Sequence, residues 1–240
     1  MARAVIVTVG NELLSGDVEN TNGSWLGRRL AALGVEVVLI AVVADDIDRV
    51  ASFVREQAAA VDVVVVTGGL GGTPDDVTRE AIAAAFGVGQ AEIPDVADRL
   101  RARFSGDPEY AARWAWLPEG SRPLEIPNGG APGFVIGNVY VFPGLPAEME
   151  AMFETVAAEI RAGEPIAAWR RTYRTTESRI AGVLEEAASR HPGVLVGSYP
   201  SFADGVAEVE VVVKSADPDA LAAAAGWIEP ALARATVART

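Results

Sequence analysis

The sequence predicts an α/β protein: a mostly parallel sheet with helices on both faces, followed by a small α+β appendage. Three observations carry this. Runs of β-branched residues such as Val61-Asp62-Val63-Val64-Val65-Val66 have strand length and are bounded by glycines. They read as strands buried on both faces, the pattern of parallel sheets. A loop and a helical pattern follow each run, three times over, which is the rhythm of a sheet covered by crossover helices. Near residue 165 the order changes to β-α-β-β-α, which reads as a separate open-faced sandwich of about 70 residues. The predicted domains are therefore 1–165 and 166–240.

The elements follow in order. Strand one, Ala4–Val9, ends at Gly10-Asn11-Glu12-Leu13-Leu14-Ser15-Gly16. A polar loop, Asp17 to Asn22, leads into a helix whose Trp25, Leu26, Leu30 and Leu33 recur at helical spacing and which Gly34 stops. Strand two, Val35–Val43, is almost wholly apolar and ends at Ala44-Asp45-Asp46. The next helix carries Ile47, Val50, Phe53 and Val54 on one face. Strand three, Val61–Val66, runs into Thr67-Gly68-Gly69-Leu70-Gly71-Gly72-Thr73-Pro74-Asp75-Asp76, then a helix over Val77–Phe86 that Gly87 stops. Residues 88–122 read as helical excursions, with Pro94 in a first turn and Trp114 and Trp116 as core or lid contacts. A loop, Pro127 to Gly133, precedes a hairpin of Phe134–Ile136 and Val139–Phe142 across the two-residue turn Gly137-Asn138. Pro146 opens a helix ending near Gly163. Beyond it lie an Arg-rich strand (Trp169–Thr176), a helix (Ser178–Arg190), strands Val194–Tyr199 and Val206–Lys214, and a last helix from Pro218 to Arg234.

Composition narrows the function classes. The 240 residues are half apolar, and no apolar run reaches the roughly 18 residues of a membrane span. The absence of cysteine excludes disulfides and thiol chemistry and fits the cytoplasm. His191, the single histidine, precedes Pro192-Gly193 and reads as a capping or surface residue, so a histidine triad or a His/Cys zinc site is not expected. The net charge is -13, and only Lys214 among the 20 basic residues is a lysine. That surface argues against nucleic-acid binding. It suits either a halophile, whose acidic surface is screened at high salt, or a GC-rich genome that favours arginine codons.

The candidate chemistry lies at the strand ends. Four glycines within Gly68–Gly72, set between a strand and a helix, offer backbone N–H groups to an anion without a Cβ in the way. The loop is neither a Walker loop, since no lysine follows, nor a GxGxxG turn. Asp75 and Asp76 stand where the helix starts, where an aspartate is also an ordinary cap. Beside a phosphate cradle, two carboxylates suit a divalent ion. In parallel sheets ligands bind beyond the carboxyl ends of the strands. Asn11 and Glu12, Asp45 and Asp46, and Asp75 and Asp76 follow three successive strands and are expected to converge there.

These stretches resemble the N-terminal region of the competence/damage-inducible protein CinA family and the wider molybdopterin-binding domain family of MogA, MoaB and part of gephyrin. The matching residues are Gly10-Asn11-Glu12-Leu13-Leu14, Asn20-Thr21-Asn22, Val43-Ala44-Asp45-Asp46, the whole of Thr67 to Thr78, Gly130-Ala131-Pro132-Gly133-Phe134 and Phe142-Pro143-Gly144-Leu145-Pro146-Ala147-Glu148-Met149. The resemblance implies a three-layer α/β/α domain and a KH-like or ferredoxin-like appendage. It implies a small-molecule ligand, a nucleotide or a phosphorylated pterin such as molybdopterin. CinA-type domains are similar to metal-dependent pyrophosphatases acting on ADP-ribose, and a related domain acts on FAD. On that basis Asp45, Asp76 and Glu12 are the expected catalytic residues. Asp45 and Asp76 are the expected ligands of Mg²⁺, Mn²⁺ or Co²⁺. The expected ligand contacts are Gly10, Asn11, Asn22, Thr67, Gly68, Gly69, Gly71, Thr73, Asp75, Thr78, Gly130, Pro132, Gly133, Pro143 and Gly144. Adenylyl transfer to a pterin and non-catalytic binding are the alternatives. The resemblance also implies a homo-oligomer, dimer or trimer, with the apolar Trp25 and Phe153 as candidate interface residues; the charge balance and the lack of a spanning apolar run are what argue against a nucleic-acid or membrane partner. The deamidase domain that CinA proteins usually carry is not encoded here, so that activity is expected to be absent. Ala44 replaces a glycine, Gly72 stands before Thr73 where Pro-Thr is usual, and Leu145 replaces a proline. These departures bear on the ligand rather than the fold.

Overall fold

In the first of two compact units, Met1–Ala162, strand and helix alternate as the apolar runs predict. The computed structural model describes residues 2–125 and 129–236. Met1, and Pro127 and Asn128 of the predicted loop, lie outside the described residues. β1 (Ala2–Val9) leads to α1 (Asn11–Ser15), one short helix where the sequence predicts only loop, and α2 (Thr21–Ala32). The Asn20 side chain caps α2 by accepting from the Gly23 amide. Then come β2 (Val35–Val43), α3 (Ile47–Ala60) capped by Asp46, β3 (Val63–Thr67) and α4 (Thr78–Phe86). Gly87 stops α4 at φ 67°, the left-handed region where a glycine carries no Cβ penalty.

The stretch 88–122 is not purely helical, as the sequence had suggested. It folds as β4 (Gln90–Glu92), α5 (Pro94–Arg103), α6 (Pro108–Ala112), a 3₁₀ turn (Arg113–Ala115) and β5 (Trp116–Pro118), with β4 and β5 paired antiparallel. β6 (Arg122–Leu124) joins the main sheet. The hairpin forms as β7 (Gly133–Ile136) and β8 (Val139–Phe142), and α7 (Pro146–Ile160) closes the unit.

The strand order is β2-β1-β3-β8-β7-β6. The first four run parallel, β7 runs antiparallel to β8, and β6 runs antiparallel to β7. Side chains alternate between two cores. Val5, Val7, Val9, Val64 and Val66 meet α3 and α4 on one face, while Ala4, Ile6, Val63 and Val65 meet α2 and α7 on the other. This is the three-layer arrangement. Burying each of these valines, and Ile6, contributes roughly 1.5–3 kcal/mol, so the two cores hold the sheet from both sides.

Two sequence expectations need correction. Phe153 is fully buried, packed against Phe142 and edge-on to Trp25, so it is core and not an oligomer contact. β2 is apolar like the central strands, yet it forms the edge of the sheet, and Val38, Leu39 and Ile40 are exposed.

The second unit, Gly163–Thr240, contains β9 (Ala167–Tyr173), α8 (Glu177–Arg190), β10 (Leu195–Ala203), β11 (Val206–Ser215) and α9 (Pro218–Thr236). Its antiparallel sheet runs β10-β11-β9. Val209, Val211 and Val213 of β11 point into a core shared with both helices. His191 is the C-terminal cap residue of α8. β10 continues past Tyr199 through Pro200, which an edge strand tolerates because its N–H is not needed by a neighbour.

Candidate functional site

β1 and β3 are neighbours in the sheet, but the chain leaves β1 toward the α2 face and leaves β3 toward the α4 face. A parallel sheet opens a crevice at such a reversal. A cavity of about 750 Å³ lies there, lined by the loops after β1, β2, β3 and β8.

The glycine loop is built for close approach. Gly68 has φ 103°, and a Cβ on it would fall on the Val9 carbonyl oxygen at the end of β1. Only glycine fits there. The Thr78 hydroxyl donates to the Gly68 carbonyl (2.8 Å) and the Thr78 amide to the Gly69 carbonyl (3.1 Å), so α4 begins already fastened to the loop. Arg79 is 6% exposed and donates to the carbonyls of Leu70 (2.5 Å) and Gly71 (2.9 Å). Burial pushes its pKa down, an effect that nearby Glu80 and Asp76 oppose. Carbonyls tied to Arg79 cannot turn toward a ligand.

Asp76 has a role that the sequence did not reveal. Its Oδ1 accepts from the Gly71 amide (2.8 Å), and its Oδ2 accepts from the Thr73 amide (2.8 Å) and hydroxyl (2.5 Å). It clamps the loop. Neither aspartate caps α4, whose cap residue is Val77 with no side-chain bond. Because the amides of Gly71 and Thr73 are taken, those of Gly69, Leu70 and Gly72 are the ones left without a partner among the described residues.

The acids do converge. Asp45 accepts from the Asn11 amide (2.7 Å), which joins the loops after β1 and β2. Its carboxyl is pushed up, first by burial and then by the charges of Glu12, Asp75 and Asp76, and the Asn11 bond offsets this only in part. Opposite, the Asn22 amide nitrogen donates to the Gly144 carbonyl (2.8 Å) and the Thr67 hydroxyl (3.2 Å), and that hydroxyl donates to the Pro143 carbonyl (2.8 Å). This fixes Asn22 Oδ1 as an acceptor, and it is buried with no partner among the described residues. Glu148 accepts from the Gly130 amide (3.0 Å) and holds the far wall.

Of the predicted residues, Gly10, Glu12, Asn22, Asp45, Thr67, Gly68, Gly69, Gly71, Asp75, Asp76, Gly130, Pro143 and Gly144 line the cavity. Asn11, Thr73, Thr78, Pro132 and Gly133 do not. Asn11 and Thr73 brace the two aspartates from outside, Thr78 is buried beneath the loop, Pro132 is buried, and Gly133 packs against the Val141 carbonyl and Met152. Sequence reasoning missed Arg79 and Glu148 as loop supports, and Arg103 and Phe104 as wall; of the two tryptophans expected as core or lid contacts, Trp114 lines the cavity and Trp116 does not.

A divalent ion suits the site in a limited sense. No group of three or more carboxylate or histidine ligands is assembled among the described residues. Asp45 keeps Oδ1 free, and Asp76 Oδ1 accepts a single bond and keeps a lone pair. That donor set fits a Mg²⁺-like ion held by one or two carboxylates and completed by ligand phosphates.

A family model described as "Probable molybdopterin binding domain" matches residues 5–162, and one described as "FAD synthase, middle domain" matches residues 172–240. A CinA-like protein of Frankia casuarinae is 44% identical over 207 residues, covering 78% of this chain and 48% of its own length. The chain thus spans about half of that curated relative. A protein of Archaeoglobus fulgidus is 38% identical, covering 82% of this chain and 85% of its own length. Among solved structures, "the protein CinA with unknown function" from Thermoplasma acidophilum superposes with TM-score 0.62 at 35% identity, over 67% of this chain and 99% of that one.

Proposed function

The chain belongs to the molybdopterin-binding domain family, with relatives of CinA type, and from that premise we propose that it is a metal-dependent hydrolase of a nucleotide pyrophosphate, of the ADP-ribose or FAD kind. The observation that carries this reading is the pairing of free loop amides with Asp45 and Asp76 at one cavity. The amides of Gly69 and Leu70, both of which line the cavity, would hold phosphate oxygens. Asp45 and Asp76 would hold a divalent ion. When bound, that ion polarises a phosphoryl oxygen and makes a water more acidic. Asn22 Oδ1 would accept a hydroxyl or N–H of the ligand, and Arg79 keeps the loop carbonyls out of the way. Attack of the water's oxygen on one phosphorus forms a P–O bond and breaks the bridging P–O bond. ADP-ribose would thus give AMP and ribose 5-phosphate. The match of residues 172–240 to a FAD synthase domain supports a nucleotide ligand.

The family description supports molybdopterin as a ligand of the same cavity, and the second reading is that the protein binds it there and transfers an adenylyl group. Product analysis with Mg²⁺, Mn²⁺ or Co²⁺ separates the two: AMP from ADP-ribose means hydrolysis, and an adenylated pterin means transfer. Tight binding without turnover under every metal would overturn both in favour of a binding module. The same reading includes a cytoplasmic homo-oligomer with no nucleic-acid or membrane partner. The exposed apolar edge of β2 supports self-association, and among the described residues no helix is long and apolar enough to cross a membrane.

A further inference from the structure

The cavity has a second wall of a different character. Phe104 and Trp114, from the excursion between α5 and β5, line it beside the glycine loop. Two edge-to-face neighbours set the plane of Trp114: Phe104 at 5.2 Å and 86°, and Tyr110 at 6.0 Å and 72°. The Trp114 indole N–H is buried without a partner among the described residues, although a buried tryptophan ordinarily finds an acceptor. Its position depends on Gly72. A Cβ there would fall on the Tyr110 hydroxyl and lie 2.9 Å from Trp114 Nε1. Gly72 is also one of the places where the loop departs from its usual Pro-Thr form. A glycine with φ outside the left-handed region is not needed for the turn, so what it supplies here is room for the two aromatic rings.

We propose that Trp114 is the ring-recognition residue of this cavity: seated against the loop because residue 72 is glycine, it takes the planar heterocycle of a phosphorylated ligand whose phosphates lie on the glycine loop. The proposal rests on the phosphate-binding reading above and adds to it the part of the ligand that distinguishes a nucleotide or pterin from a bare pyrophosphate. Every base has a π-face, so an aromatic wall recognises the ring without fixing its identity. The unpaired indole N–H supplies one donor at the ring's edge.

The test compares ADP with inorganic pyrophosphate, each with Mn²⁺, by calorimetry on the full chain. Trp114→Ala is expected to weaken ADP by roughly 5- to 150-fold, the range for removing a base-stacking aromatic. Its affinity for pyrophosphate should stay within about twofold. Trp114→Phe keeps a ring and removes the N–H, and should weaken ADP severalfold with pyrophosphate again unchanged. This second variant decides the matter if the alanine variant does not fold. ADP should also quench tryptophan fluorescence in the parent protein and quench it less in Trp114→Phe. A parent that binds the two ligands equally, or variants that weaken both or neither, would overturn this proposal alone. A parent that binds neither ligand would remove the phosphate-binding reading as well.

Discussion

Asp76→Asn is expected to damage the loop as well as the chemistry. The carboxylate accepts three bonds, from the Gly71 amide, the Thr73 amide and the Thr73 hydroxyl. Asparagine keeps one oxygen and turns an NH₂ toward the other side, so at least one backbone N–H loses its acceptor and faces a donor. A hydrogen bond to a charged group is worth about 1.5–3 kcal/mol net. Because Thr73 is exposed, the lower part of that range applies, about 2 kcal/mol. For a chain of this size 1 kcal/mol moves Tm by about 2–4 °C, which gives a fall of about 4–8 °C. Turnover should fall as well, by roughly 10²–10³, as for a lost transition-state contact. Asp75→Asn is the comparison: Asp75 is exposed and gives α4 no cap, and hydrogen bonds from the Thr73 hydroxyl and its own amide hold its carboxyl below the usual range, so its Tm should fall by less than that of Asp76→Asn. Calorimetry of both variants without metal tests the argument. An Asp76→Asn transition within about 1 °C of the parent would refute the clamp.

Asp45→Asn should lose turnover by a similar 10²–10³, while its Tm near neutral pH without metal holds or rises slightly, since the substitution removes a charge crowded by Glu12, Asp75 and Asp76. A marked fall in its Tm would contradict that. The raised Asp45 carboxyl fixes a sign: its contribution to stability is present below the unfolded-state pKa and is lost as pH rises through the folded one. Mn²⁺ must displace that proton, so its affinity, titrated by calorimetry, should weaken on acidification at a higher pH than an ordinary carboxylate, about 3.9, would give. Loss of binding only below that value would remove Asp45 as a ligand. If the -13 charge reflects a halophile surface, Tm should rise between dilute and molar KCl, and an unchanged Tm would leave only codon bias. Light scattering at high salt should give the mass of a dimer or trimer, and a monomeric mass at micromolar concentration would contradict the expected assembly.

What the sequence made legible was local. Gly68 and Gly69 announce positive φ because the chain must turn sharply between a strand and a helix, and the Gly137-Asn138 turn between two apolar strands announces a hairpin. Asp45 could be placed because it follows a recognisable strand. The hidden features depend on what comes together in space. Nothing in the run Val35–Val43 distinguishes an edge strand from a central one, since that is decided by the crossover of α3 beneath β1. Asp76 reads in sequence as a metal ligand at the start of a helix, and only the folded loop shows its carboxylate turned back to bond the loop. Arg79 sits in an ordinary helical pattern, and only the folded loop shows that its guanidinium has two carbonyls to meet.

That guanidinium also bears on the thermodynamics of recognition. A loop rich in glycine has many conformations to lose when it closes on an anion, and this ordering normally weakens binding. Here Arg79, Thr78 and Asp76 fix the loop through bonds within the protein itself. The ordering entropy is therefore met during folding, and little remains to be lost when a phosphate arrives. Binding of pyrophosphate should then carry only a small unfavourable conformational entropy. The amide protons of Gly71 and Thr73 should already exchange slowly before any ligand is added.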